Sequence, residues 1–81
     1  MAANVWSDAA REAALEARRE LHNTLDRFHQ HYKDTVGENK DVDKGIAEAK
    51  EKATSHVKAA AILKKHGMDD YNAFRHGRLE D

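Results

Sequence analysis

Six histidines in 81 residues are the first feature that could do chemistry. His22, Asp26 and His29 fall at i, i+4 and i+7, so a helix would set them on one face, and two imidazoles with a carboxylate are ligands for Zn²⁺, Ni²⁺ or Fe²⁺. If the chain reverses once near residue 39, positions whose numbers add to about 78 lie opposite one another, and His56 then faces His22 as a fourth candidate ligand. The plainer alternative is that these residues border a buried stripe on its solvated flank, with Asp26 paired to a neighbour. Neither His-Glu-x-x-His nor Glu-x-x-His occurs, the spacings that build zincin and di-iron sites. A histidine-based metal-binding bundle is therefore an alternative reading, and the principal expectation is a chain with no cofactor.

Covalent catalysis needs a nucleophile, a base and an orienting group around a cleft. The hydroxyls are Ser7, Thr24, Thr35, Thr54 and Ser55, with no Gly-rich phosphate loop beside them. Helical hairpins offer little concavity, so no catalytic residue is expected. Lys58, Lys64, Lys65, Arg75 and Arg78 form a candidate basic patch that could face phosphate, as in a small nucleic-acid-associated accessory or regulatory protein. Against this stands the balance of 14 basic and 15 acidic side chains, a net charge of −1. The acidic residues gather in 34–48 and the lysines in 50–66, which suggests that the turn of one molecule could approach the lysine end of another. Trp6, Tyr71 and Phe74 are rigid aromatics near the chain ends; with Ile62 they are the candidate anchors of a partner interface.

Helices must position all of these groups. From Ser7 to Val36 there is no Gly or Pro, and Trp6, Ala10, Ala14, Ala17, Leu21, Leu25, Phe28, Tyr32 and Val36 recur by fours and threes with an eleven-residue period. That period is about 3.67 residues per turn, close to the natural helix, so the stripe runs nearly straight. Helix 1 is expected over about 7–36, capped by Ser7 or Asn4, with an alanine-rich first half and a bulky second half. Val36-Gly37-Glu38-Asn39-Lys40-Asp41 is the turn, with Asp41 or Asp43 as the next cap. Helix 2 is expected over about 42–66, on the stripe Val42, Ile46, Ala49, Ala53, Val57, Ala60, Ile62 and Leu63, ending at Gly67. A short helix over about 70–76 would fold back toward Trp6 and Ala10.

The pattern thus predicts a single all-α domain, an antiparallel two-helix hairpin with a short C-terminal third helix, completed by oligomerisation or by a partner. Leu21, Leu25, Phe28, Tyr32, Ile46 and Val57 are its expected core. No cysteine and no long apolar run occur, so a cytoplasmic protein without a membrane span is expected. The function that fits is a non-enzymatic interaction or assembly module that packs helices against copies of itself or a larger complex.

Overall fold

The computed structural model describes residues 3–78, with side chains from Asp8 onward, so Trp6 and its expected anchoring role lie outside the described side chains. Four helices follow one another: α1 Ala3–Thr35, α2 Lys40–Lys52, α3 His56–Lys65 and α4 Tyr71–Arg75. At 1.5 Å per residue, the 33 residues of α1 make a rod of about 50 Å, which accounts for the 53 Å long axis of the molecule. The rod begins at Ala3, ahead of the expected cap at Ser7. It ends at Gly37, whose φ of +92° suits glycine and whose N–H donates to the carbonyls of Tyr32 and Lys33.

Only the second half of α1 is packed. Leu21, Leu25 and Phe28 are buried against Val42, Ile46, Ala49 and Ala53 of the α2 segment, while residues 8–20 are exposed throughout. Large side chains on α1 meet small ones on α2, which lets the two helices approach closely. Asn39 caps α2, its side chain accepting from the backbone N–H groups of Asp41 and Val42, so the cap precedes the two aspartates expected to supply it.

The expected second helix is broken. Ala53 and Ser55 are extended, and the Ser55 side chain accepts from the Lys58 N–H at 3.2 Å as the cap of a new helix. Helix α3 then reverses along α2, bringing Lys65 and His66 back to Glu48. Its buried face is Ala59 and Leu63, not the Val57 and Ala60 phase, and Val57, expected in the core, is 76% exposed. The physical reason lies in what each path buries. Continuing straight would lay α3 over the alanines of α1, whereas folding back lets Leu63, Met68 and Tyr71 join Phe28 and Ile46 in one core.

The reversal is tight at Gly45. A Cβ there would lie 2.5 Å from Met68 Cε and 2.9 Å from His66 Cβ, so glycine is what permits α2 to touch the segment after α3. Gly67, at φ +86°, closes α3 with the Met68 N–H on the Leu63 carbonyl. Helix α4 then packs against α1 and α3. Tyr71 and Phe74 each stand 5.2 Å from the Phe28 ring, and the Tyr32 hydroxyl donates to Asp70 at 2.6 Å. So α4 covers the second half of α1, not the end near Trp6 and Ala10. The fold is all-helical, and among the described residues no helix is long and apolar enough to cross a membrane.

Candidate functional site

Four of the six histidines are spent on joints between helices. On α1, the Nε2–H of His29 donates to Asp43 at 2.7 Å and that of His22 donates to the Lys50 carbonyl at 3.1 Å, both tying α1 to α2. Just past α3, His66 Nε2–H donates to Glu48 at 3.2 Å. His56 is the most connected. Its Nε2 lies 2.6 Å from Glu20 Oε2 and its Nδ1 lies 2.8 Å from the Tyr71 hydroxyl, joining α1, α3 and α4 in one relay. A carboxylate only accepts, so Nε2 carries the hydrogen; in the neutral ring Nδ1 then accepts from the tyrosine O–H. Thr24, buried beside it, donates its hydroxyl to the Glu20 carbonyl oxygen at 2.9 Å and to Oε1 at 3.2 Å.

A carboxylate, an imidazole and a hydroxyl in line have the form of a nucleophilic triad. The electrostatics point the other way. Tyr71 is 1% exposed, and burial pushes its hydroxyl up to about 12, away from the phenolate a nucleophile requires. The hydrogen bond from His56 holds the Glu20 carboxyl below the usual carboxylate range. This geometry suits a clamp that fixes three helices, with the Tyr71 hydroxyl enclosed and the Glu20 carboxylate at the exposed rim.

The four candidate metal ligands are not brought together. His22 and His29 point to separate partners on α2, Asp26 pairs with Lys50, and His56 pairs with Glu20. Among the described residues no group of three or more histidines and carboxylates is placed to hold an ion. The basic residues sit on two neighbouring helices. Lys58 and Lys64 stand exposed on α3, Lys65 lies 3.7 Å from Glu48, and Arg75 and Arg78 belong to the α4 segment, where Arg75 Nη2 donates to His76 Nε2 at 3.3 Å. Because α3 doubles back, the acidic and lysine-rich stretches expected at opposite ends lie side by side in one molecule. Of the proposed anchors, Tyr71 is core, and Ile62 and Phe74 are partly buried against it.

The uncovered apolar surface lies elsewhere, on the first half of α1. Ala10, Ala14 and Ala17 continue the buried stripe into solvent, and Leu15, 51% exposed, stands toward the other side of the helix. Where α2 stops, the stripe opens into a groove of about 300 Å³ lined by Ala14, Ala17, Arg18, Leu21, Glu51, Ala53 and Thr54. A larger hollow of about 630 Å³ is a charged trough along the outer back of α1, walled by that helix alone. Sequence reasoning missed the groove because it extended helix 2 over it. The available signal was Thr54-Ser55, a polar pair of which serine is a favoured helix cap, in the middle of the expected helix. No protein-family model matches the chain, and no curated protein or solved structure matches it either.

Proposed function

We propose that the protein is a non-enzymatic interaction module in which a small helical head holds out the first half of α1 as the binding element. The observation that carries this reading is the exposure of residues 8–20 together with the groove at Leu21 and Ala53. An amphipathic helix with one face unpacked gains by laying that face on another helix. Rigid support comes from the head, since the histidine joints and the core hold residues 21–35 of the same rod. The partner class that fits is protein, either another copy or a helix of a larger assembly.

Photo-cross-linking in the native host tests it. A cross-linker placed at Ala14, which lines the groove, should yield discrete protein adducts that disappear on Ala17→Glu, a change at an exposed position that should leave the thermal melt unaltered. Adducts that are absent, or that persist undiminished in Ala17→Glu, would remove the basis of the proposal.

A further inference from the structure

We propose that two copies of the chain exchange the arm formed by α3 and α4, each chain straightening at Ala53–Ser55 into one helix that runs from α2 through α3. This goes beyond the binding role given to α1. In the exchanged form the open face of α1 is covered by the chain's own α3.

A straight helix would carry two faces, and the first is turned to α1. Leu21 and Ala53 share the groove where the packed part of α1 ends. From there the α1 stripe steps back four and three residues to Ala17 and Ala14, while the second stripe steps forward four and three to Val57 and Ala60. Because α2 runs antiparallel to α1, its straight continuation sets Val57 on Ala17 and Ala60 on Ala14 and fills the groove. The break leaves Ala14 and Ala17 exposed, and Val57 is 76% exposed.

The second face is the one that α2 and α3 use against each other. Gly45, Glu48, Lys52, Ala59, Leu63 and His66 follow at intervals of three, four, seven, four and three, a palindrome centred between Ser55 and His56. On a straight helix they share one side, about a third of a turn from Val57 and Ala60. A two-fold axis requires this symmetry, with residue i against j and j against i. Two straight helices crossing antiparallel at that centre put Gly45 of one against His66 of the other, with Glu48 beside it. Within one chain α2 and α3 already make these contacts: a Cβ on Gly45 would lie 2.9 Å from His66 Cβ, and Glu48 accepts from His66 at 3.2 Å. Exchange thus remakes the contacts of the head and adds the burial of Val57.

A second copy is required because the arm cannot straighten alone. Leu63, Met68 and Tyr71 are enclosed with Phe28, Val42 and Ile46, and away from its own head the arm finds that surface only on another. The hinge resists little. It contains no glycine or proline, Ala53 and Ser55 are extended, and the cap of α3 is the single bond from the Lys58 N–H to Ser55.

Sedimentation after refolding at about 200 µM should show a dimer. Thr54→Ala with Ser55→Ala removes the cap and favours helix through the hinge, so it should raise the association constant about ten-fold or more. The chain has no cysteine, which permits disulfide trapping. Glu48 and Lys65 meet at 3.7 Å, so Glu48→Cys and Lys65→Cys on separate chains, refolded together, should link to each other faster than either links to itself. Both changes on one chain, oxidised at about 1 µM, should lock the reversal and leave a monomer at every concentration. Monomers throughout for both the wild type and the double-alanine variant, or a dimer that survives the lock, overturn the exchange.

Discussion

His56 shows how much one side chain contributes when three helices meet on it. Replacing it by alanine removes the acceptor of a hydroxyl that is fully enclosed, and a buried polar group left without a partner costs about 1–3 kcal/mol. His56→Ala should therefore lower the melting temperature by several degrees or more, at about 4–8 °C per kcal/mol for a domain of this size. Tyr71→Phe in the same chain should recover part of that loss, because the orphaned hydroxyl is gone; a double-mutant cycle of thermal melts checks it. The same residues set the pH limits. Glu20 and Glu48 are each held below the usual carboxylate range, chiefly by hydrogen bonds from His56 and His66. A carboxyl more acidic when folded contributes stability above its unfolded value of about 4.3 and loses it as pH falls through the folded value. Tyr71 is pushed up to about 12 by burial, and Tyr32 is raised by burial and by its bond to Asp70. A phenol less acidic when folded contributes below its unfolded value of about 10, and that contribution goes as pH rises through the folded value. Urea midpoints should fall on both arms, below about pH 4.3 and above about pH 10, and Tyr71→Phe should weaken the alkaline fall.

At the scale of the helix, Gly45 reverses an ordinary expectation. Glycine inside a helix is worse than alanine by about 1 kcal/mol, so Gly45→Ala would stabilise a free-standing α2. Here the added methyl meets Met68 and His66 below normal contact distance. The terminal methyl of Met68 can swing aside, but His66 Cβ is fixed to a backbone that Gly67 and the Glu48 bond hold in place. Gly45→Ala should thus be destabilising by about 1–3 kcal/mol, as overpacking usually is, and chemical denaturation gives the sign directly. The break at 53–55 obeys the same logic. No glycine or proline interrupts the chain between Gly45 and Gly67, so local propensity permits one long helix. Burial of Ala59, Leu63, Met68 and Tyr71 prevails over that continuity, because the large side chains after Ser55 find their complement only by turning back.

The molecule as a whole is a head with a rod emerging from it. Contacts that define the head begin at Glu20 and Leu21, and the side chains from Asp8 to Arg19 cover none of the core. Deleting residues 1–13 should leave the melting temperature of the dilute protein within about 4 °C of the full chain, since surface changes away from core and caps typically amount to about 0.5 kcal/mol or less. Leu25→Asp buries a charge among Phe28, Ile46 and their neighbours and should abolish cooperative unfolding, as circular dichroism during heating would show. Charge balance within one molecule follows from the reversal too, since Glu48 meets Lys65 and His66 of its own chain.

What the sequence determined was everything that depends on neighbours three and four residues apart. The eleven-residue stripe specified α1, Gly37 and Gly67 marked the ends of helices, and Leu21, Leu25, Phe28 and Ile46 were readable as core from their spacing. The tertiary structure alone decided which histidine meets which carboxylate, because a shift of a few residues along a helix, or a reversal at Ser55, changes every such pair while leaving the periodicity intact. It also decided that Tyr71 is core and that the alanines of α1 stay open. Burial is a competition among segments for a limited core, and a single pattern of apolar positions does not say which segment wins.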